Sequence, residues 1–169
     1  LLEQSFQGLN RTASDLSRFY EKAIIGMEMQ AGLQPESLLQ VIYGKSQVDL
    51  SIARAVARTP YTAFQGTANP YINQTRCRNI RNSQGVVVRS CYTVQVENPR
   101  YRQSQRDAKR FEISRYTREL MKSIERFRSI KDQSTVLSSS EKQQLEIQIA
   151  ELEAESEQLL RASRRMTLF

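Results

Sequence analysis

The chain has 169 residues, a formal net charge of +7 and no histidine. The lack of histidine excludes Ser-His and Cys-His nucleophile systems, and histidine metal sites, within this sequence. It contains no apolar run of about 18 residues, so it encodes no membrane-spanning helix, and its first residues lack the features of a signal peptide. The sequence lacks an initiator Met and its first helical repeat is already in phase at Leu2, so we expect it to be part of a longer protein. A membrane anchor upstream would fit the disulfide that is predicted below.

The start of the chain predicts a long helix with an apolar seam. Apolar or small residues follow alternating spacings of four and three, which is the heptad pattern of a coiled coil. The seam consists of Leu2, Phe6, Leu9, Ala13, Leu16, Tyr20, Ala23 and Met27. Gly32 and Pro35 end the helix. The stripe fits the core face of a helical bundle as well as an assembly surface. We expect its large members to mediate assembly with a second copy or a partner chain.

Residues 33–58 predict shorter helices. Pro35 suits a helix start, and Gly44 ends that helix. Ser46 to Asp49 resembles a capping box ahead of a second apolar pattern. Residues 1–58 are therefore expected to form one helical segment.

Residues 59–74 predict an irregular connector. Thr59-Pro60 breaks the helical pattern. Tyr61, Phe64 and Tyr71 are expected to pack under the element that follows. The segment leaves room for a short extra strand.

Residues 75–97 predict a β-hairpin closed by a disulfide. Ser83-Gln84-Gly85 has the form of a three-residue loop, with Gly85 as its left-handed residue. Counting outward from that loop places the chain's two cysteines, Cys77 and Cys91, directly opposite each other, within disulfide reach. Such a bond persists in an oxidising compartment, so the hairpin points to a protein that works outside the cytoplasm.

The rest of the chain predicts two long helices, a long helix within 98–131 and a closing helix within 139–167. The first has an apolar face from Ile113 to Ile130, and the second repeats apolar or small residues from Leu145 to Met166. The two registers do not match, so one helix would need a four-residue stutter. A turn that gives a helical hairpin is simpler, and the capping-box pattern from Ser138 to Glu141 supports it.

Positive charge is concentrated in the middle of the sequence. Residues 71–110 contain nine basic residues against Glu97 and Asp107. We expect six arginines to contact an anionic partner, such as an acidic protein surface or lipid phosphate: Arg76, Arg78, Arg81, Arg89, Arg102 and Arg106. A solvated basic face beside the acidic segment 132–158 is the simpler alternative. Few aromatics alternate with the arginines, so nucleic acid is a less favoured partner.

Catalysis and cofactors find little support in the sequence. Two cysteines 14 residues apart are not a zinc framework, and no Gly-rich phosphate loop occurs. The clustered glutamates near the C-terminus fit the solvated flank of a coiled coil. We therefore assign no catalytic residues, no metal ligands and no cofactor.

The predicted fold is mainly α, with long coiled-coil-like helices flanking one disulfide-bonded β-hairpin in a single elongated domain over residues 1–169. In architecture, rather than in any motif, it resembles extracytoplasmic coiled-coil modules of membrane-anchored bacterial envelope assemblies, of the septal cell–cell junction or secretion-adaptor type. The helix Leu2–Met27, the helices within 103–166 and the cysteine hairpin carry the resemblance. It implies a scaffold role without a cofactor.

Two function classes follow from these observations. The favoured one is a non-catalytic structural or interaction module, periplasmic or on the cell surface, tethered to a membrane. The alternative is a basic nucleic-acid-binding module that uses the Arg-rich hairpin and the helix after it. An intact disulfide favours the first, because nucleic-acid binders usually work in reducing compartments.

Overall fold

A computed structural model describes residues 2–30, 32 and 34–165, with side chains from residue 11 onward. In chain order the helices are α1 (Leu2–Glu28), α2 (Pro35–Arg58), α3 (Pro99–Gln133) and α4 (Ser139–Arg165). A short 3₁₀ turn spans Tyr61–Ala63, and two antiparallel strands, β1 (Tyr71–Arg81) and β2 (Val87–Glu97), lie between α2 and α3. The predicted fold class, mainly α with one disulfide-bonded hairpin, is confirmed.

The chain divides into two units. The first contains residues 1–60 and 109–169, and the second contains residues 61–108. Helix α3 begins in the second unit and ends in the first. The expectation of one elongated domain stays a prediction. No helix in the described part of the chain is both long and apolar enough to cross a membrane.

The first unit is a four-helix arrangement around an apolar core. Ile24 of α1, Ile42 of α2 and Ile113 of α3 are completely buried. On α4 the buried residues are those of the predicted repeat: Leu145, Ile149, Leu152, Ser156, Leu159 and Ser163. The predicted apolar stripes of α3 and α4 are therefore core faces. Met166, the last member of the α4 repeat, lies outside the described residues.

The prediction of shorter helices over residues 33–58 is wrong, because α2 runs unbroken through Gly44. A Cβ atom at position 44 would lie 3.0 Å from Cε1 of Tyr20 on α1. The glycine thus provides room for an aromatic ring at a close helix crossing. This contact opposes the roughly 1 kcal/mol by which glycine disfavours a helix relative to alanine.

The prediction of a helical hairpin is confirmed at the turn between α3 and α4. The backbone N–H of Glu141 donates to Ser138 Oγ (3.2 Å), and that hydroxyl donates to a carboxylate oxygen of Glu141 (3.1 Å). Ser138 therefore caps α4, as the sequence pattern indicates. Leu137 in the turn is buried and covers this end of the core.

In the second unit, the start of α3 packs against the connector. The Gln105 side chain donates to the backbone oxygens of Thr62 (3.2 Å) and Phe64 (3.0 Å). A Cβ at Gly66 would collide with Ser104 Oγ, so a glycine is needed there. The connector is shorter than expected, because β1 already begins at Tyr71 rather than at Thr75.

Candidate interaction site on the hairpin

The disulfide and the strand register are as the sequence predicts. Cys77 faces Cys91, Ile80 faces Val88, and the two cysteines are bonded with their Cα atoms 4.1 Å apart. Both cysteines are exposed to solvent. The bond closes a loop across a sequence separation of 14. It points to an environment outside the cytoplasm.

Asn82 and Gly85 shape the loop that sets this register. Gly85 has a φ of +74°, in the left-handed region where glycine is favoured. The side-chain oxygen of Asn82 accepts hydrogen bonds from the backbone N–H groups of Gln84 (2.9 Å) and Val86 (3.0 Å). The role of Gly85 is predicted from the sequence, whereas that of Asn82 is not. An asparagine directly before such a loop is a typical turn former and was an available signal.

The backbone N–H and C=O groups of the hairpin point alternately to the other strand and to the outer edge. The N–H of Asn82 donates to the backbone oxygen of Val86 (2.9 Å), so these two residues form a hydrogen-bonded pair. Hydrogen-bonded and non-hydrogen-bonded pairs alternate in an antiparallel ladder. The odd-numbered residues, including Cys77 and Cys91, are therefore non-hydrogen-bonded pairs. Their backbone N–H and C=O groups point to the outer edges of the hairpin.

The hairpin has two chemically different faces. Side chains alternate between faces along each strand. The odd-numbered residues form the disulfide face, which is polar apart from the disulfide, Tyr71 and Val87. The even-numbered residues form the aliphatic face, whose apolar members are Ile72, Ile80, Val88, Tyr92, Val94 and Val96. Val94 and Val96 are half-buried, whereas every residue of β1 is exposed.

The pleat does not bring the hairpin arginines onto one face. Arg76 and Arg78 lie on the aliphatic face, whereas Arg81 and Arg89 lie on the disulfide face. All four are exposed. The guanidinium of Arg78 lies 6.0 Å from the ring centre of Tyr92.

The two remaining arginines of the predicted anionic contact already have neighbours in the second unit. Arg102 forms an exposed ion pair with Glu97 (3.5 Å). The guanidinium of Arg106 lies 4.6 Å from the ring centre of Tyr61. Contact of the six arginines with an anionic partner stays a prediction, and a single flat partner could reach only part of the set.

The predicted seam of α1 is split by the way the helix packs. The seam residue Leu16 is 45% exposed, whereas the seam residues Tyr20 and Met27 are half-buried. Phe19, which is not a seam residue, is 67% exposed. Ser17 and Ile24, which are not seam residues, are buried instead. Leu2, Phe6 and Leu9 lie outside the residues whose side chains are described. Assembly through the seam stays a prediction.

A charged network that the sequence analysis missed lies inside the first unit. Lys45 Nζ donates to Asp49 (2.6 Å) and to Glu119 (2.9 Å), and the side chains of Lys45 and Asp49 are at most 1% exposed. Ser17 Oγ also donates to Asp49 (2.6 Å), which explains why Ser17 faces inward. Arg126 makes two hydrogen bonds to Glu21, at 2.9 and 2.7 Å.

The contacts within the network shift the pKa values of its residues. Burial raises the pKa of Asp49, against the hydrogen bonds from Lys45 and Ser17. Burial also favours neutral Lys45, but hydrogen bonds to Asp49 and Glu119 outweigh it and raise the pKa of Lys45. The hydrogen bond from Arg126 lowers the pKa of Glu21. In Glu119, burial is outweighed by the bonds and charges of Lys45 and Lys122, so its pKa is lowered.

The sequence did contain a signal for this network. Ile42, Asp49 and Val56 are spaced by seven, and all three are buried on the inner face of α2. A carboxylate at the centre of an apolar heptad, with a lysine four residues before it, indicates a buried ion pair. The sequence analysis instead interpreted Asp49 as the end of a capping box.

Two cavities lie near the network in the first unit, a small one and a groove that opens to solvent. The cavity beside the network has a volume of about 90 Å³ and includes Lys45 and Glu119 in its wall. A groove of about 500 Å³ near it is lined by exposed charged residues such as Arg18 and Asp15, which lie 3.9 Å apart. Over residues 2–30, 32 and 34–165, no three His, Cys, Asp or Glu side chains are grouped as a metal site.

No family model, curated protein or solved structure matches the chain. The resemblance in architecture to envelope coiled-coil modules therefore stays an expectation. What can be argued about function rests on the hairpin, on the exposed part of α1 and on the buried network.

Proposed function

We propose that this chain is a non-catalytic interaction module of a membrane-tethered assembly outside the cytoplasm, in a periplasm or at a cell surface. The hairpin is its main contact element, and the outer surface of α1 is a second one. The coiled-coil and cell-junction roles expected from the architecture belong to this proposal.

One observation carries the proposal: a long, covalently closed hairpin has both of its faces largely in solvent. An isolated two-stranded hairpin is at best marginally stable in water. The Cys77–Cys91 bond constrains it in the absence of a packed core. A rigid element loses little conformational freedom on binding, which favours a role in recognition. Its exposed aliphatic side chains, such as Ile72 (42%) and Val87 (57%), provide contact area.

The state of the ionisable groups supports a non-catalytic role. Catalytic acids and bases need access to a substrate. Lys45 and Asp49 are buried and hydrogen-bonded within the network. Lys109, whose pKa burial lowers, donates to the backbone oxygen of Ala57 near the end of α2 (3.0 Å), where a cation stabilises the helix. These groups act in the fold.

Thiol trapping in the source cells tests the compartment. Cells are lysed directly into an alkylating agent, and the chain is analysed by mass spectrometry before and after reduction. We expect a linked peptide pair that contains Cys77 and Cys91, with alkylation only after reduction. Two cysteines alkylated before reduction would contradict both the compartment and the proposed function.

Salt-dependent binding tests the anionic contact. We expect the chain to bind vesicles that contain anionic lipid, and to release them as salt is raised, because the contact is made by charge. Replacing Arg81 and Arg89 by Ser removes the cations of the disulfide face, and replacing Arg76 and Arg78 is the matched control on the other face. The double variant that loses more vesicle binding identifies the face of the hairpin that binds. Tight, sequence-selective binding of an oligonucleotide would favour the nucleic-acid alternative.

The outer surface of α1 is proposed to receive a helix of a partner chain. Leu16 and Phe19 are exposed apolar residues three apart on one helix, so their side chains are neighbours and offer a partner a small apolar surface. Replacing Leu16 by Asp should weaken assembly and leave the fold intact. Replacing Ile24 by Asp is the control that should unfold the first unit, because Ile24 is completely buried.

A further inference from the structure

The outer edges of the two strands differ in charge. β1 contains Arg76, Arg78 and Arg81 and no acidic residue, whereas β2 contains one base and one acid, Arg89 and Glu97. Charged side chains on an edge strand hinder its pairing with another strand. The edge of β1 is therefore protected by like charge, and the edge of β2 is not.

The composition of β2 also favours pairing. Four of its eleven residues are valines, and Tyr92 and Thr93 lie at its centre. β-branched and aromatic residues are those that fit a pleated sheet best. In the described part of the chain β2 pairs with β1 alone, so its outer edge has no strand beside it.

We propose that β2 pairs with β2 of a second copy of this chain. The two strands run antiparallel about a two-fold axis at Tyr92, and the two hairpins form one four-stranded sheet. This inference rests on the proposed function, in which the hairpin is the main contact element, and it names the partner.

The outward-pointing backbone groups of the two β2 strands face each other in this pairing. The outward N–H and C=O groups belong to the odd-numbered residues of β2, from Val87 to Glu97. The axis at Tyr92 places Cys91 opposite the second copy's Thr93, and Arg89 opposite the second copy's Gln95. All of these are outward-pointing residues, so each can exchange two backbone hydrogen bonds. All eleven residues of each β2 are then paired.

The side chains on the aliphatic face continue across the new sheet. Ile80 already faces Val88, and Ile72 faces Val96. The proposed register places Val88 beside the second copy's Val96. One row of four aliphatic side chains, Ile80, Val88, Val96 and Ile72, then crosses the four strands, and the two-fold axis generates a second row. Ile72, Ile80 and Val88 are now 42%, 39% and 39% exposed, so this pairing removes apolar surface from water.

Charges on the disulfide face are complementary in the same register. Arg89 lies diagonally across from the second copy's Glu97, within reach of long side chains, and the axis produces this contact twice. The equivalent pairing of two β1 strands would be centred on Arg76 and would place that residue opposite its own copy. Like charges directly opposite each other are destabilising. Charge therefore selects β2.

Proline substitution at two residues that face each other across the hairpin tests which outer edge, that of β1 or that of β2, forms the dimer. Thr93 of β2 and Thr75 of β1 face each other, and the N–H of each points outward. Proline at either position removes one outward donor and no bond between β1 and β2. The self-association of the full oxidised chain is measured by sedimentation equilibrium. We expect Thr93→Pro to weaken the dimer about tenfold or more, since each 1.4 kcal/mol is tenfold, and Thr75→Pro to leave it unchanged.

Lysine substitution at the same two positions shows whether proline acts only by distorting a strand. A charge at position 93 blocks the edge without changing the backbone, so Thr93→Lys should also weaken the dimer and Thr75→Lys should not. A chain that stays monomeric at millimolar concentration contradicts the inference. So does a dimer that survives both substitutions at position 93, or one that is lost equally with the substitutions at position 75.

Charge exchange tests the register. Arg89→Glu and Glu97→Arg should each weaken the dimer, and the two together should restore it, because the diagonal contacts are then reversed in sign. A double variant that is no better than the single ones contradicts the axis at Tyr92. If Leu16→Asp abolishes the dimer while Thr93→Pro does not, α1 is the interface. That result contradicts this inference and leaves the proposed function standing, whereas trapped free thiols contradict the function itself.

Discussion

The helical unit buries most of its isoleucines, whereas the two isoleucines of the hairpin are exposed. Ile24, Ile42 and Ile113 are 0% accessible to solvent, but Ile72 and Ile80 are 42% and 39% exposed. Four helices can cover one another, whereas in the described residues the two-stranded sheet has no further strand on either edge. The first unit therefore obtains its stability from its own core. The hairpin depends on a covalent bond and on what it contacts.

The largest expected effect comes from breaking the buried network of the helical unit. Replacing Lys45 by Met leaves Asp49 as a buried carboxylate without its cation, which costs about 3–5 kcal/mol of unfolding free energy. Lys122 is the control: it contacts the same Glu119 (3.1 Å), but its side chain is 56% exposed. Lys122→Met should cost less than about 1 kcal/mol. Urea unfolding followed by circular dichroism measures both, and equal losses would contradict the role of burial.

The second largest effect is expected from removing the disulfide of the hairpin. Replacing Cys77 and Cys91 by Ala should remove about 3 kcal/mol of constraint, as expected for a loop of this length. Hydrogen exchange should show faster opening of β1 and β2 and unchanged protection of core amides such as those of Ile113 and Leu120. Loss of protection in both units at once would show that the hairpin supports the helices, against the contrast drawn above.

The acidity of the network predicts a pH dependence specific to the helical unit. The pKa of Lys45 is raised in the folded chain. Its contribution to the free energy of unfolding is therefore complete below pH 10.5 and is lost as the pH rises through the pKa of the folded chain. The pKa values of Glu21 and Glu119 are lowered in the folded chain. Their contributions to stability are therefore present above pH 4.5 and are lost as the pH falls through the lowered pKa values. Asp49, whose pKa is raised, opposes this acid loss.

Thermal melting across the pH range measures this dependence. We expect the melting temperature of the helical unit to fall above pH 10.5. The Lys45→Met variant should show less of this alkaline loss, because the group that titrates is gone. An alkaline loss of the same size in the variant would assign it to other groups.

The smallest effects are expected at two helical glycines. A Cβ at Gly26 would meet nothing within 4 Å, so Gly26→Ala should stabilise α1 by about 0.5–1 kcal/mol. At Gly44 the same gain is opposed by the ring of Tyr20, 3.0 Å from the new atom. Gly44→Ala should therefore stabilise less than Gly26→Ala, or destabilise. The reverse order in melting temperature would contradict the close crossing of α1 and α2.

Local patterns in the sequence were sufficient for several features of the fold. The loop ending at Gly85 determines the hairpin register, and the register determines the bond between Cys77 and Cys91. The capping pattern at Ser138 likewise predicted the turn before α4. In each case the partners are close in sequence, so their geometry follows from the backbone alone.

Features that depend on distant partners were missed. Gly44 looked like a helix end because its contact, Tyr20, lies on another helix. The heptad pattern of α1 includes Leu16, but it is Ser17, hydrogen-bonded to Asp49 on α2, that faces inward. The charge difference between β1 and β2 is visible in the sequence. Its meaning for pairing requires knowing that both strands are edges.

Residue-resolved hydrogen exchange of the oxidised chain, measured as protein concentration is raised, shows whether the edge of β2 pairs with a second copy. The outward amides of β2, those of Arg89, Cys91, Thr93 and Gln95, should become protected with concentration. The outward amides of β1, those of Asn73, Thr75, Cys77 and Asn79, should exchange at a constant rate. If the amides of β2 exchange at the same rate at every concentration, the edge of β2 does not bind a second strand and the proposed pairing is wrong.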